Sequence, residues 1–444
     1  MKLTIYHTND IHSHLHEYAR IDAYMKEHRP QLTHPSLYLD IGDHVDLSLP
    51  VTEATAGLKN VELLNNAQCD LATIGNNEGM TISHEALNHL YDDANFPVTC
   101  ANVFDEEGKL PRNMVSSHIQ TVEDVDILFV AATAPFTPFY RALDWVVTDP
   151  LEAIKDEIHA HEGQYDILIV MSHVGIFFDE QLCQELPEID LILGSHTHHY
   201  FEHGEEQNGV LMAAAGKYGH FLGEVTLDIE QRQVVGKSAI LHPLDTLPEV
   251  ETNFIQEGQQ LMDTSVLDHP MYLPRTTNRI SKTAYMLAES LQEFTHTEGS
   301  IINAGLIVTE INKDRVTEYD IHQMLPHPIN AVRVRLKGDT LKAIIDKSQK
   351  QEYLNEHAQG LGFRGDIFGG YVLYNISFIE SEGRYFIGER EIYDEETYTL
   401  GTVDMYTFGR YFPMLKGEAI EYIMPEFLRD IFKMKLTEVA EDVE

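Results

Sequence analysis

Five short polar segments, rich in Asp, His and Asn, follow apolar runs in the first half of the chain. They are NDIHSH (residues 9–14), GDHVD (42–46), GNNEG (75–79), SHVG (172–175) and GSHTHH (194–199). Carboxylate, imidazole and amide side chains together offer the mixed oxygen and nitrogen donors that divalent transition metals accept. The candidate ligands are Asp10, His12, Asp43, Asn76, His173, His196 and His198.

The size of this set indicates more than one ion. Seven candidate ligands are too many for one tetrahedral zinc ion, so the sequence predicts two divalent ions held close together, with one carboxylate bridging them. In an extended segment, side chains two residues apart lie on the same side, which would let Asp10 and His12 face one ion. His196 and His198 have the same spacing. A single DxH or HxH is usually an ordinary surface or core pattern. The metal prediction therefore rests on the repetition, in five places, of an apolar run followed by candidate ligands.

The apolar runs that precede these segments predict strands of a buried sheet. They are apolar at nearly every position, which is typical of strands buried on both faces. Loops at the carboxyl ends of strands in open α/β sheets converge, so we expect the five polar segments to meet at one edge. The predicted strands are LTIYHT, SLYLDIG, DLATIG, DILFVAA, YDILIVMS and DLILGS, followed by GVLMAAAG and FLGEVTLDI.

The length of 444 residues, 43% of them hydrophobic, predicts two domains. The strand-rich region 1–245 forms the first, and the polar, proline-containing segment 246–275 is interpreted as a connector. The second domain, 276–444, contains a predicted helix over about 281–294, another after Asp339, and several β-rich segments. These segments are GSIINAGLIV, NAVRVRLKG, YVLYNISFI and TYTLGTVD.

The charge balance argues against polyanionic partners. Lys and Arg total 31 against 72 Asp and Glu, a net charge of −41, which would repel nucleic-acid phosphates and anionic lipid heads. The N-terminal residues lack the apolar core of a signal peptide, and no apolar run approaches membrane-spanning length. The three cysteines show no CxxC pairing. We therefore expect a cytoplasmic protein that binds neither nucleic acid nor membrane.

The five polar segments resemble the signature blocks of the calcineurin-like metallophosphatases, specifically the bacterial 5′-nucleotidase and UDP-sugar hydrolase branch. AAAGKYGHFLGEVTLDI resembles the closing strands of that branch, and IINAGLIV and LPHPINAVRVRLKGDTL resemble its C-terminal domain. The resemblance implies an α/β fold: a four-layer α/β/β/α sandwich with a second, smaller α/β domain. It also implies metal-dependent hydrolysis of phosphate esters or pyrophosphates in nucleotide-like small molecules, with two Mn²⁺ or Zn²⁺ ions as cofactors.

The resemblance also implies how the ions are shared. Asp43 would bridge the two ions, which would neutralise charge on the phosphoryl oxygens of a nucleotide substrate. The first implied ligand set is Asp10, His12, Asp43 and His198, and the second is Asp43, Asn76, His173 and His196.

Asn77 departs from the family pattern, which has a histidine at this position that assists in the transition state. An amide donates a hydrogen bond but supplies no proton near neutral pH, and losing proton transfer costs about 10²–10⁴-fold in rate. Three interpretations remain open. In the first, the leaving group needs no proton, as with a phosphate or a nucleoside monophosphate released from a diphosphate. In the second, His44 or His14 serves as the acid. In the third, the protein binds nucleotide with little turnover.

The second domain is expected to bind the substrate. Arginine guanidinium groups can bind phosphate through two parallel hydrogen bonds, and aromatic rings can stack on a base. Val308 stands where the family has an arginine. For each candidate the alternative is an ordinary surface arginine or core phenylalanine. The predicted substrate-binding residues are Asn303, which matches a family asparagine, with Arg275, Arg364, Phe363, Arg410 and Phe412.

Two alternative functions follow from the same residues. Within the enzyme class, the alternative is a cyclic-nucleotide phosphodiesterase. From a different class comes a metal-loaded nucleotide-binding protein with low turnover, which Asn77 and Val308 would permit. A third hypothesis, in which the histidines hold a metal that only stabilises the fold, predicts that chelation lowers stability alone.

Overall fold

The computed structural model describes residues 1–278, 280–358 and 360–441. The chain forms two compact units, Met1–Glu257 and Gly258–Glu444, and the division between them lies inside the segment 246–275. Each unit combines helices and strands, as predicted for an α/β protein. The three cysteines, Cys69, Cys100 and Cys183, are free and buried.

The first unit combines strands and helices, with two runs of consecutive strands, β4 to β8 and β11 to β15. Its strands are β1 (Lys2–Thr8), β2 (Ser36–Asp40), β3 (Leu71–Thr73), β4 (Val98–Thr99), β5 (Val103–Asp105), β6 (Met114–Val115), β7 (Ser117–Val122), β8 (Val125–Thr133), β9 (Trp145–Val147), β10 (Ile167–His173), β11 (Leu191–Gly194), β12 (Glu205–Gln207), β13 (Val210–Ala213), β14 (Phe221–Glu230) and β15 (Gln233–Pro243). Its helices are α1 (Leu15–His28), α2 (Pro50–Ala54), α3 (Leu58–Asn66), α4 (Asn76–Met80), α5 (His84–Leu90), α6 (Thr137–Ala142), α7 (Pro150–Ala160), α8 (Ile176–Glu185) and α9 (Phe254–Leu261), which continues past Glu257.

Two large sheets form the centre of this unit. One has the strand order β15-β14-β1-β2-β3-β4-β6 and the other β12-β13-β11-β10-β8-β7. Apolar side chains from both sheets, among them Ile5 and Leu39 from the first and Phe129 and Ile169 from the second, share one core. The sheets therefore pack face to face, with the apolar faces excluded from water.

Helices cover the outer faces of both sheets. Leu168 of β10 packs with Ile154 of α7 and Leu182 of α8 on the outside of the second sheet. On the first sheet, the hydroxyl of Tyr38 in β2 donates to that of Tyr18 in α1 over 3.1 Å. This is the predicted four-layer α/β/β/α arrangement.

The strands predicted from apolar runs are confirmed as β1, β2, β3, β8, β10 and β11, with β13 and β14 closing the unit. Strands β1, β2 and β3 are parallel neighbours, as are β10 and β11. The polar segments follow directly on these strands. They therefore lie at the carboxyl edges of the two sheets, where the sequence analysis placed the site.

The second unit is smaller and also mixed. Its strands are β16 (Ser265–Leu267), β17 (Met271–Leu273), β18 (Gly299–Asn303), β19 (Ile311–Lys313), β20 (Val316–Thr317), β21 (Asn330–Lys337), β22 (Tyr371–Tyr374), β23 (Ile376–Ile379), β24 (Arg384–Ile387), β25 (Arg390–Glu391), β26 (Thr397–Val403) and β27 (Ala419–Phe427). Its helices are α10 (Lys282–Thr295), α11 (Glu318–Met324), α12 (Gly338–Lys350) and α13 (Leu428–Glu441). Its main sheet has the order β22-β18-β26-β21-β27.

Helix α10 confirms the helix predicted over 281–294, and α12 the one after Asp339. The run YVLYNISFI, in contrast, is divided between β22 and β23, which belong to different sheets. Asn375 separates them because its φ of 57° lies in the left-handed region, which interrupts a strand. Its side-chain amide donates to the carbonyl of Glu298 over 2.7 Å and holds the bend.

Within the described residues, every helix is too short or too polar to span a lipid bilayer.

Candidate metal centre

The structure brings the predicted ligands of the five polar segments together. Two groups of donors each have ligand atoms within 4.8 Å of one another. The first group is Asp10, His12 and His198, and the second is Asp10, Asp43 and His173. Because Asp10 belongs to both groups, the two sets of donors are adjacent.

The carboxylate of Asp43 faces both groups as well. Its Oδ2 lies 3.6 Å from Nε2 of His12, and its Oδ1 lies 3.3 Å from Nε2 of His173. Two oxygens directed at two different histidines are the arrangement expected of a bridging carboxylate. On the His12 side, Nε2 of His198 lies 3.5 Å from Oδ1 of Asp10.

The remaining two predicted ligands lie beside each other. Oδ1 of Asn76 is 2.6 Å from Nδ1 of His196. The ring of His196 is 5.5 Å, centroid to centroid, from that of His173. Asn76 and His196 therefore extend the group that contains His173.

Unpartnered atoms inside the cluster fit a metal ion. Oδ1 of Asp10 and Nε2 of His173 are buried without a hydrogen-bond partner. Their other atoms are satisfied: Oδ2 of Asp10 accepts from the Asn9 amide (2.8 Å) and the His196 backbone N–H (3.1 Å). Nδ1–H of His173 donates to the carbonyl of Ile41 over 2.7 Å, so Nε2 is the ring nitrogen that faces the carboxylates. Buried polar atoms without partners are costly, and a divalent cation would satisfy both.

The electrostatics of the cluster favour positive charge. Burial alone would lower the pKa of His173, but the carboxylates of Asp43 and Asp10 outweigh it and raise the pKa to about 10. Burial lowers the pKa of His196 to about 4 and that of His198 to about 3. Both of these rings are therefore neutral at pH 7 and keep a nitrogen lone pair for a metal.

The backbone of the ligand loops is left-handed, so the extended geometry predicted for DxH and HxH is wrong. Each non-glycine residue with positive φ costs on the order of 1–3 kcal/mol and persists only where its surroundings hold it. The backbone N–H groups of Asp10 and His12 donate to the carbonyls of Gly42 (3.0 Å) and Asp43 (2.8 Å), which fix these turns. The positive φ values are 52° at Asp10, 47° at His12, 51° at Asp43, 71° at His196 and 56° at His198.

Glu78 is a positioning residue that the sequence analysis missed. Its buried carboxylate accepts from the backbone N–H groups of Gly75 (2.8 Å), Asp43 (3.0 Å) and Val45 (2.9 Å). These bonds join the GDHVD and GNNEG segments. The detectable signal is the glutamate three residues after the N-cap Gly75, a capping-box position at the start of α4.

Gly75 itself is required by close packing. A Cβ atom on this residue would lie 2.1 Å from Oδ1 of Asp43 and 2.5 Å from Cε1 of His173. Any side chain would therefore displace two predicted ligands.

Asn77, predicted to be catalytic, contacts two ligands. Its backbone N–H donates to Oδ1 of Asp43 over 2.7 Å. Its side-chain Nδ2 lies 3.0 Å from Nδ1 of His12 and donates to the carbonyl of Val45 over 3.1 Å. The amide therefore lies behind His12, whose Nε2 faces the other donors.

His44, the other predicted catalytic residue, is enclosed. Its Nδ1 lies 3.1 Å from the Asn60 amide nitrogen, and its ring meets that of Tyr18 edge to face at 4.6 Å. Burial lowers its pKa to about 3, so the ring is neutral at pH 7 and is not an imidazolium acid. His14 is partly exposed and stacks on Tyr218 at 4.1 Å. Tyr218 in turn lies 5.7 Å from the ring of His12.

Asn303 and the two phenylalanines predicted to bind substrate are buried in the second unit. Asn303 donates to the carbonyl of Phe368 (2.6 Å) and accepts from the hydroxyl of Tyr406 (2.9 Å). Phe363 and Phe412 belong to the core of the unit, Phe363 stacked on a histidine ring at 4.9 Å. Their contacts are structural here, and their role in substrate binding stays a prediction.

The three candidate arginines also have partners inside the second unit. Nε of Arg275 donates to the carbonyl of Ile307 over 2.9 Å. Arg364 donates to the carbonyl of Phe363 over 3.3 Å, and Arg410 forms an ion pair of 2.6 Å with Glu356. Phosphate binding by these side chains likewise stays a prediction.

Known proteins are similar to this chain in sequence and in fold. The family model for calcineurin-like phosphoesterases matches residues 3–200, and that for the 5′-nucleotidase C-terminal domain matches residues 263–417. The chain is 39% identical to the uncharacterized metallophosphoesterase YunD of Bacillus subtilis (strain 168), over 98% of this chain and 99% of that protein.

Two solved structures show the same fold at low sequence identity. A protein of Staphylococcus aureus described as a putative 5′-nucleotidase, in complex with α-ketoglutarate, superposes with a TM-score of 0.72 at 16% identity, covering 98% of this chain and 97% of that one. The NAD nucleotidase NadN of Haemophilus influenzae gives a TM-score of 0.66 at 16% identity, covering 99% and 97%.

Proposed function

Because this chain belongs to the calcineurin-like phosphoesterases that carry a 5′-nucleotidase C-terminal domain, we propose that it hydrolyses phosphate esters of nucleotide-like small molecules with two divalent metal ions. The expected ions are Mn²⁺ or Zn²⁺, which the mixed donor set accepts. The reaction would be of the 5′-nucleotidase or UDP-sugar hydrolase type.

One observation carries the proposal: two adjacent donor groups share Asp10, while the two oxygens of Asp43 face opposite histidines. Bound divalent ions would lower the pKa of water and neutralise charge on the phosphoryl oxygens. One ligand set is Asp10, His12, Asp43 and His198, and the other is Asp43, Asn76, His173 and His196.

The surrounding residues hold these side chains in place. The Asn9 amide orients the Asp10 carboxylate, and the Ile41 carbonyl fixes the tautomer of His173. Glu78 joins the two loops that carry Asp43 and Asn76. Such supporting contacts fix ligand orientation and affinity in metal sites.

The contacts of Asn77 and His44 favour a second candidate, a nucleotide-binding protein with low turnover. The Asn77 amide donates hydrogen bonds but supplies no proton near neutral pH, and His44 is neutral and buried. Substrates with poor leaving groups, such as nucleoside monophosphates, would then be cleaved slowly. Aryl phosphates, whose leaving groups need no proton, would be cleaved faster.

The test is product release from Mn²⁺-loaded protein with p-nitrophenyl phosphate, AMP, ADP, UDP-glucose and a 2′,3′-cyclic nucleotide. A phosphohydrolase cleaves at least the aryl ester, and a chelator abolishes the activity. If the protein hydrolyses none of the five compounds but still binds AMP, the enzyme proposal is wrong and the protein is a nucleotide-binding protein.

A further inference from the structure

A cavity of about 530 Å³ lies over one face of the main sheet of the second unit. Its volume is within the roughly 300–1,000 Å³ typical of small-molecule sites. The adjacent strands β26, β21 and β27 form its floor, and alternate residues of each strand line it, because side chains two residues apart share one face. These residues are Thr397 and Thr399 of β26, Arg333 and Arg335 of β21, and Ala419 and Glu421 of β27, with Tyr398 and Ile420 completing the lining.

The pairing of the strands determines what surrounds Arg335. In the antiparallel register, Thr399 of β26 lies opposite Arg335 on one side and Ala419 of β27 lies opposite it on the other. Glu421 lies opposite Arg333, the next residue of β21 on this face. Because the side chain of Ala419 is a single methyl group, space remains beside the longer arginine side chains.

The cavity is separate from the predicted substrate-binding residues of this unit. In the parallel pair of β18 and β26, Ser300 lies opposite Gly401, so Asn303 is level with the end of β26. Arg335 is level with Thr399, about five residues or roughly 16 Å further back along the strands. The six residues predicted to bind substrate are absent from the cavity lining that the structure describes.

The lining is positively charged, in contrast to the whole chain. It contains two arginines and one glutamate, whereas the chain carries a net charge of −41. Arg335 is exposed, and among the described residues its guanidinium has neither an ion-pair partner nor a hydrogen-bond partner. A guanidinium presents five N–H donors in a planar fork that matches the oxygens of a phosphate or a carboxylate. These donors are therefore available to a ligand in the cavity.

Two carboxylates that contact the lining are already paired. Nη1 of Arg333 lies 2.9 Å from Oε2 of Glu421. Glu298 accepts from the backbone N–H of Thr399 over 2.9 Å and forms an ion pair, also of 2.9 Å, with Nη1 of Arg390. Because both carboxylates have a cationic partner, the charge of the unpaired arginine is left without compensation.

We propose that this cavity binds a small molecule that carries a phosphate or carboxylate group, and that the guanidinium of Arg335 holds that group. Thr397, exposed on the same face, has a hydroxyl that can donate a further hydrogen bond. The net charge of the chain opposes a polyanion more strongly than a small anion, because the repulsion grows with the charge of the ligand. The ligand class is therefore a small oxyanion.

A molecule bound in this cavity would be held without reaction. The two groups of metal donors found among the described residues both belong to the first unit. The cavity would thus take a ligand in addition to the proposed substrate, and the proposal does not depend on the proposed function.

Calorimetry on the Mn²⁺-loaded full chain tests the proposal, with inorganic phosphate and succinate as separate probes. The metal centre is also expected to bind phosphate, so the informative quantity is the difference in the number of binding sites between variants. Arg335→Ala removes the guanidinium, whereas Ala419→Phe fills the space beside it and leaves every charge in place. The control is Lys350→Ala, which removes one positive charge at an exposed position of α12 outside the cavity.

We expect Arg335→Ala and Ala419→Phe each to lose one site per chain for phosphate, for succinate or for both, and Lys350→Ala to keep it. Loss of phosphate alone assigns a phosphorylated ligand, loss of succinate alone assigns a carboxylate, and loss of both assigns an oxyanion of either kind. If either cavity variant binds both anions as wild type does, the proposal is overturned. A protein that hydrolyses no phosphate ester would still show the expected difference.

Arg335→Lys tests the guanidinium itself, because lysine keeps the charge but lacks the planar fork. We expect it to bind the anion about tenfold more weakly than wild type in the same titration. Wild-type affinity in Arg335→Lys would overturn the assignment of the anion to the guanidinium.

Discussion

The side-chain amide nitrogen of Asn77 lies 3.0 Å from Nδ1 of His12. Oδ2 of Asp46 lies 3.4 Å from the same ring nitrogen. Nε2 of His12, on the opposite side of the ring, faces Asp10, Asp43 and His198. Polar groups behind a ligand histidine fix its orientation and tautomer. We therefore expect Asn77 to act on the predicted metal centre through His12.

Asn77→Ala should weaken Mn²⁺ binding, because it removes one of the groups that orient His12. Loss of a supporting contact of this kind typically costs about 10–100-fold in metal affinity. Calorimetric titration of metal-free protein with Mn²⁺ measures the change, and Asn66→Ala, at an exposed position of α3, is the control. Unchanged Mn²⁺ affinity in Asn77→Ala would show that the contact with His12 has no such role.

Asn77→His should restore a proton donor at the position where the resembled family has one. We expect kcat for AMP to rise relative to kcat for p-nitrophenyl phosphate, since only the alkoxide leaving group gains from protonation. Steady-state kinetics with both substrates give the ratio. An equal change for the two esters would mean that proton transfer does not limit AMP hydrolysis.

Glu78→Gln should destabilise the first unit. The carboxylate accepts three backbone N–H bonds through two oxygens, whereas an amide offers only one oxygen, so at least one buried donor loses its partner. The expected loss is about 1–3 kcal/mol in the free energy of unfolding, measured by urea denaturation. Glu62→Gln, at a side chain 57% exposed, should be neutral. Equal stability of both variants would contradict the joining role of Glu78.

Asp404 should make the second unit less stable as the pH rises. Its Oδ2 accepts from the backbone N–H of Asn330 over 3.0 Å, its Oδ1 is buried without a partner, and burial raises its pKa from 3.8 to about 7. Between about pH 4 and pH 7 the folded state thus keeps a proton that the unfolded chain has lost, so stability falls by up to a few kcal/mol across this window.

Asp404→Asn removes this titration. Thermal unfolding at pH 5 and pH 8 should show a smaller fall in Tm for the variant than for the wild type. An identical fall in both proteins would assign the pH dependence to other groups.

The ligand segments and the long strands could be predicted because they depend on local sequence patterns. The backbone conformation of the ligand loops and the role of Glu78 could not, because they depend on long-range contacts. The ligand segments were found because each follows a buried strand, and the strands were found because their runs are continuously apolar. The left-handed backbone of Asp10 and His12 could not be predicted, because positive φ is uncommon for any single non-glycine residue. The role of Glu78 depends on two loops that are distant in the chain.

In the second unit, short strands were missed because their partners lie far away in sequence. Strand β16, for example, pairs with β20, with Ser265 opposite Thr317. Three-residue strands carry too little pattern to be recognised alone. The cytoplasmic location and the exclusion of nucleic acid rest on charge and composition and stay predictions.

We propose that adjacent donor groups around Asp10 and Asp43 hold two ions that serve phosphate-ester hydrolysis. The most direct measurement is p-nitrophenol release from p-nitrophenyl phosphate by metal-free protein, followed while Mn²⁺ is added in steps. We expect no activity without metal, a rise that is complete at two equivalents per chain, and no rise in Asp43→Asn. Full activity without metal, or an unchanged titration in Asp43→Asn, would contradict it.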